Sequence, residues 1–371
     1  MRPIARIAGA AGLVLAAVTL FAGTASAHSF RHGAVFVQTD NPAGNTIVAY
    51  DRARDGSLEQ AGSYATGGRG GVLDGSVVDH LASQGSLALD RRAGLLYAVN
   101  AGSDTITVFA VRGDRLGRRQ VVGSGGSFPV SVAVHDRFVY VLNARDGGSV
   151  QGYVRLGDRL VPLGGRHRDL GLDPAAAPEF THTPGQVAFT PDGRALLVTT
   201  KANTSAVDVF RVDRFGGLSA APVVNTLPDA VPFALTFDAA GNVVLTEAGP
   251  NAVQTFSLSS SGVLHALATA ATDQAATCWV VRAGDRFYVS NAGSGTLSGY
   301  RDPGDGSLSA LGNTPTDPGT VDAAVAGRVL YVQAGATGAV DAFRLHRDGS
   351  LAPIGSVVVP GAVGGQGIAA T

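Results

Sequence analysis

Asp55-Gly56-Ser57-Leu58, Asp305-Gly306-Ser307-Leu308 and Asp348-Gly349-Ser350-Leu351 are the same four-residue phrase at three places in one chain. Asp-Gly between apolar runs marks a tight hairpin, because glycine accepts the positive φ that such turns require. Weaker versions of the phrase end in Leu116, Leu160, Leu218 and Leu264, and an aromatic precedes each of the seven: Tyr50, Phe109, Tyr153, Phe210, Phe256, Tyr300 and Phe343. These aromatics are spaced by 59, 44, 57, 46, 44 and 43 residues, a period near 44 with two insertions of about 14. Short strands recurring at that period are propeller blades, so the chain reads as an all-β, seven-bladed β-propeller.

Each unit divides into four strands, here named A to D from the axis outward. In blade 6, residues 278–281 read as A, 287–290 as B and 296–300 as C, with D beginning at Leu308. Blade 1 opens directly with a B strand at 34–38, while the chain ends in an extra A-like segment at 366–370. The C-terminal strand is therefore expected to close blade 1 and leave no unpaired inner edge. The third positions of the seven inner strands are Ala88, Ala133, Ala188, Thr236, Val280, Ala324 and Ala369. Almost all are small, as crowding around one axis requires.

Composition narrows the function classes. The chain has 371 residues, 45% hydrophobic and 15% charged, with 51 glycines and a net charge of -1. Such a balance disfavours disorder and lacks the basic footprint of a nucleic-acid binder. Arg2 and Arg6, the apolar run 7–21 and Ala25-Ser26-Ala27 read as an export signal over 1–27, leaving 28–371 as one secreted propeller domain. His28, the expected new N-terminus, has His32 nearby; a copper chelate there is a weaker reading than a plain tail. No later segment approaches ~20 apolar residues, so no membrane span is expected. Cys278 is the sole cysteine, which excludes an internal disulfide. No Cys-x-x-Cys-His, P-loop or metal-ligand spacing appears, and no cofactor or metal is expected.

The phrases Tyr97-Ala98-Val99-Asn100, Tyr140-Val141-Leu142-Asn143 and Tyr288-Val289-Ser290-Asn291 resemble those of the seven-bladed lactonase-like propeller family, as does Phe189-Thr190-Pro191-Asp192-Gly193-Arg194. That family includes propeller-type 6-phosphogluconolactonases and carboxymuconate-lactonizing enzymes. The resemblance implies a site at one mouth of the axial channel, built from Arg, His and Glu near A-strand starts and B-strand ends. The family's Pro-Arg-His aligns here with Pro184-Gly185-Gln186 and Pro232-Phe233-Ala234, which carry neither the arginine nor the histidine. Glu247 lies near the family's Asn-Glu.

The repeat alignment places Gln186 and Asp322 on the A side of that mouth, with Asn100, Asn143, Lys201, Glu247 and Asn291 on the B side. Such a ring suits a small polar ligand, a lactone or sugar; the asparagines alternatively satisfy turn backbones. Lys201 is the only lysine among 28 basic residues. Its ammonium can be retuned by burial where arginine cannot, and an ion pair with Glu247 on the next blade is expected. The insertions, about 67–84 and 166–183, should arch over the same rim. The second carries His182 as general-base candidate and Glu179 as a possible orienter. Beside a surface or matrix protein in which the propeller is only a rigid platform, two functions stand. One is a hydrolase or cycloisomerase that opens or closes a lactone or sugar-acid ring with Lys201, Glu247 and His182. The other is a non-catalytic secreted propeller that binds a small molecule, glycan or protein.

Overall fold

The structure is a computed structural model describing Met1 and residues 33–371; residues 2–27 of the expected export signal, His28 and His32 lie outside the described residues. The Asp-Gly phrases form the turns expected of them. Gly56 has φ +97°, and a Cβ there would also stand 2.7 Å from Ile354 and 2.8 Å from Val329 of the preceding blade. The Asp55 carboxylate accepts from the Ser57 amide at 2.9 Å and from its hydroxyl at 2.7 Å, and Asp305 and Asp348 repeat this arrangement with Ser307 and Ser350. An aspartate that ties down the amide two residues on stabilises a turn without help from the rest of the fold.

Seven four-stranded antiparallel sheets result. The inner strands are Leu87–Asp90, Pro129–His135, Gln186–Phe189, Pro232–Phe237, Thr277–Ala283 and Thr320–Ala326 for blades 2 to 7, with Ile368–Ala370 for blade 1. Each inner strand contacts its two neighbours, so the ring is closed. Closure works as expected: Val35, Phe36 and Val37 pair with Ala370, Ala369 and Ile368. Thr371 adds a bond from its amide to the Ala34 carbonyl at 2.8 Å. The paired C-terminal strand is shorter than the sequence suggested, because Gly367 at φ +117° turns the chain before Ile368. The two middle strands of a blade are buried almost throughout, since neighbouring blades cover both faces, whereas outer strands such as Leu58–Ala65 alternate with solvent.

One hydrogen bond joins the two recurrent phrases across blades. The B-strand tyrosine of one blade donates to the turn-glycine carbonyl of the next: Tyr331 to Gly56 at 2.8 Å, Tyr288 to Gly349 at 2.7 Å and Tyr140 to Gly216 at 2.8 Å. Tyr97 occupies the same place in blade 2, but the turn of blade 3 reads Leu156-Gly157-Asp158-Arg159 and its buried hydroxyl finds no partner.

The second insertion is shorter than the sequence suggested, because the outer strand of blade 3 runs Arg159–Asp169 past a bulge and takes up its first residues. It contains the one α-helix among the described residues, Glu179–His182.

Tyr331→Phe should cost roughly 1–2 kcal/mol in urea denaturation, because it leaves the Gly56 carbonyl without its donor. Tyr97→Phe removes a hydroxyl with no partner and should be neutral or slightly stabilising. Equal costs at the two positions would show that the inter-blade bond contributes nothing.

Candidate functional site

B strands end on the same face as the loops that lead into A strands. On that face the B-strand ends read Asn100-Ala101-Gly102, Asn143-Ala144-Arg145, Lys201-Ala202-Asn203, Glu247-Ala248-Gly249, Asn291-Ala292-Gly293 and Gln333-Ala334-Gly335. The expected mouth of the axial channel lies inside this ring. It is covered by the chain's own first insertion.

Residues 67–84 make contacts around most of the circle. Trp279 Nε1 in blade 6 donates to the Ser83 carbonyl at 2.7 Å, and the Gln84 amide exchanges two bonds with the Val280 backbone at 2.9 and 3.1 Å. Ser83 Oγ donates to Val130 of blade 3 at 3.0 Å, the Gln84 amide to Gly185 of blade 4 at 3.1 Å and the His80 amide to Gly364 at 2.8 Å. In blade 7 the Val78 carbonyl lies so near Gly335 that a Cβ there would be 1.8 Å from it. A segment that touches blades 3, 4, 6 and 7 lies across the axis and plugs it. Asp79 folds the plug by accepting from the Leu81 and Ser83 amides at 2.8 and 2.9 Å.

Lys201 lies beneath the plug, 1% exposed. Its Nζ donates to the Ala82 carbonyl at 2.7 Å, the Phe180 carbonyl at 2.6 Å and Thr183 Oγ1 at 3.2 Å, and it sits 5.5 Å from the Phe233 ring centroid. The lysine therefore ties the two insertions together, and the expected ion pair with Glu247 is not made. Burial lowers the Lys201 pKa to about 7, against the pull of Asp79. Burial raises Asp79 and Asp322 to about 7, Asp40 to about 8 and the Cys278 thiol to about 12. Glu247 is 5% exposed, its carboxylate makes no hydrogen bond or ion pair among the described residues, and burial raises its pKa to about 7.

Beside the plug, a cavity of about 160 Å³ is lined by Arg145, Asp146, Asp173, Glu179, His182 and Thr183, among others. His182 Nδ1 lies 2.9 Å from both the Pro178 carbonyl and the Thr181 hydroxyl, while Nε2 makes no hydrogen bond among the described residues. Glu179 does not orient this imidazole. Its oxygens accept from Arg145 Nε at 2.6 Å and Nη2 at 3.0 Å, and from the Asp74 amide at 2.7 Å. The Arg145 hydrogen bonds hold its carboxyl below the usual range. Arg145 stacks on Phe128 at 4.3 Å, and its Nη1 makes no hydrogen bond.

The remaining candidates are engaged by other groups of the propeller itself. Asn100 donates to Thr105 and Thr107, Asn143 to Ser124 and Ser149, and Asn291 to Thr296 and Ser298; all three are fully buried. These bonds pin the corners between B and C strands. Gln186 accepts from the Leu235 amide at 2.6 Å, bridging blades 4 and 5, and Asp322 accepts from Gln366 Nε2 at 3.0 Å.

Sequence reasoning missed Arg145, Asp40 and Gln84. Arg145 had a legible signal, since it stands where blades 2, 5, 6 and 7 have glycine. Asp40 and Gln84 had none, because their roles depend on the plug and on Gln366. Among the described residues no cluster of three or more His, Cys, Asp or Glu has metal-binding geometry, and no helix is long and apolar enough to cross a membrane.

No family model and no curated relative matches the chain. Solved structures do resemble it in fold. A candidate 6-phosphogluconolactonase from Bacteroides fragilis superposes with a TM-score of 0.72 at 17% identity, covering 93% of this chain and 99% of that one. A protein from Lactobacillus plantarum gives 0.72 at 19%, covering 92% and 99%. The periplasmic gluconolactonase of Pseudomonas aeruginosa gives 0.71 at 20%, covering 91% and 99%. The chain thus shares the seven-bladed propeller fold of 6-phosphogluconolactonase-like proteins.

Gly335→Ala should force the plug away from blade 7 and cost roughly 1–3 kcal/mol, as overpacking does. Hydrogen exchange should then quicken in residues 76–84 while blade cores stay protected; unchanged exchange there would contradict a tight plug. Stability should also respond to pH in two limbs. Asp40, Asp79 and Asp322 have folded pKa values raised from 3.8 to about 8, 7 and 7, so stability falls as pH rises through that window. Lys201 is lowered from 10.5 to about 7, so the unfolded chain binds more protons between those values and stability rises there. Lys201→Met should abolish the alkaline rise in urea denaturation series; an unchanged limb would assign it elsewhere.

Proposed function

We propose that this protein is an exported, lactonase-like propeller that takes a small polar ligand of the lactone or sugar-acid class in the rim cavity beside the plugged mouth. One observation carries this reading: His182 lines that cavity with its Nδ1 held by the Pro178 carbonyl and the Thr181 hydroxyl, and its Nε2 makes no hydrogen bond among the described residues. An imidazole held at Nδ1 with Nε2 unengaged is suited to take a proton from water attacking a lactone carbonyl, and to return it to the ring oxygen. The free Nη1 of Arg145 supplies a donor for a carboxylate or a developing oxyanion. Lys201 is a positioning residue, since its bonds to Phe180 and Thr183 flank His182. Glu247, desolvated on the same rim, is a second group able to move a proton near neutrality. Export rests on the basic, apolar and Ala-x-Ala features of residues 1–27, and the periplasmic location stated for the Pseudomonas gluconolactonase supports it.

A second reading, non-catalytic binding of a small molecule, glycan or protein, is favoured by the engagement of Lys201 and of the Arg145–Glu179 pair within the protein itself.

A panel of five- and six-membered lactones and sugar lactones, followed by pH drift, separates the readings. Wild type should hydrolyse at least one member, and His182→Ala should lower kcat by about a hundredfold or more with an unchanged melting temperature. Full activity in His182→Ala would overturn the assignment. Saturable binding without turnover across the panel would establish the second reading.

A further inference from the structure

A larger concavity lies on the opposite face. Inner strands run away from the plugged rim and end at the turns into B strands, and between blades 2, 3 and 4 these turns bound an open cleft of about 840 Å³. Five arginines line it: Arg91 and Arg92 from blade 2, Arg137 and Arg155 from blade 3, and Arg214 from blade 4. The acids in the lining are Asp90 and Asp136, so the cleft carries an excess of three positive charges in a chain whose net charge is -1.

The arginines divide by engagement. Arg92 pairs with Asp136 at 3.2 Å, Arg155 lies 3.6 Å from Asp90, and Arg91 donates to the Ala370 carbonyl. The guanidiniums of Arg137 and Arg214 make no hydrogen bond or ion pair among the described residues. Each lies instead against an aromatic ring, Arg137 at 5.3 Å from the Phe138 centroid and Arg214 at 4.6 Å from that of Phe215. Stacking of this kind limits the guanidinium's freedom while leaving its N–H edge open. Two open forks from adjacent blades, backed by three further guanidiniums, match an oxyanion that offers several oxygens at once. The volume is that of a small-molecule site. A lone carboxylate would not use so many donors.

We propose that this cleft is a binding site for a small, multiply charged oxyanion, phosphate or polycarboxylate in class, separate from the rim cavity. The two sources share the same chemistry, planar or tetrahedral oxygens met by guanidinium forks, and the test distinguishes them.

Isothermal titration with inorganic pyrophosphate and with citrate, in 150 mM sodium chloride, tests the site on the full chain. At least one probe should bind saturably at one site per chain. The double variant Arg137→Ala/Arg214→Ala should weaken it at least tenfold while the melting temperature holds, since neither side chain makes a hydrogen bond. Binding of pyrophosphate alone assigns phosphate, and binding of citrate alone assigns polycarboxylate. Arg328→Ala, in the arginine-lined cleft between blades 6 and 7, should leave the affinity unchanged. The proposal is overturned if neither probe binds saturably, if the double variant binds as wild type does, or if Arg328→Ala weakens binding equally.

Discussion

Pairing between Ile368–Ala370 and Gly33–Gln38 is the constraint on which the rest of the molecule depends. Seven sheets set radially bury their middle strands only against neighbours, so a gap at any blade would expose two sheet faces. The C-terminal strand closes that gap and also covers the inner edge that blade 1 would otherwise leave unpaired. Closure is reinforced where Arg52 reaches the Thr371 carbonyl and Tyr331 reaches across to Gly56. The same ring creates an axis that small inner-strand residues cannot fill by themselves.

The first insertion fills that axis at one mouth, and its composition explains the unusual electrostatics there. Asp40, Asp79, Asp322 and Lys201 are all withdrawn from water, and charge is disfavoured on each of them by burial. Asp79 interacts with the other two carboxylates as well as the lysine, so neutralising it eases ionisation of Asp40 and Asp322 while it withdraws support from the Lys201 ammonium. Lys201 serves this network and the loops above it. The open chemistry on that face is thereby moved outward, to the rim where His182 and Arg145 remain in reach of a ligand.

Much of the architecture was legible because it is local and repeated. The Asp-Gly turns, the aromatic period and the missing first strand each leave a mark on a few adjacent residues, and together they gave the blade count and the mode of closure. The site was less legible. Lys201 stands out in the sequence as the only lysine and is expected at this rim, but its donors go to Ala82, Phe180 and Thr183, carbonyls and a hydroxyl in two loops whose paths no short-range pattern encodes. Asn100, Asn143 and Asn291 likewise sit where the alignment put them, yet each is turned into its own blade corner. Arg145 was visible as a break in a repeated phrase and acquires meaning only once Glu179 is brought to it from 34 residues away.

The sequence by itself determined the seven blades, their turns and the ring closure, since each follows from backbone geometry and hydrophobic alternation within a repeat. Only the tertiary structure decided which polar groups remain open: the plug covers the axis, Lys201 is enclosed, and a rim cavity and an arginine-lined cleft are left on opposite faces. The physical reason is that a turn or strand is selected by neighbours in the chain, whereas burial of a charge is set by loops and blades that meet only when the ring has closed.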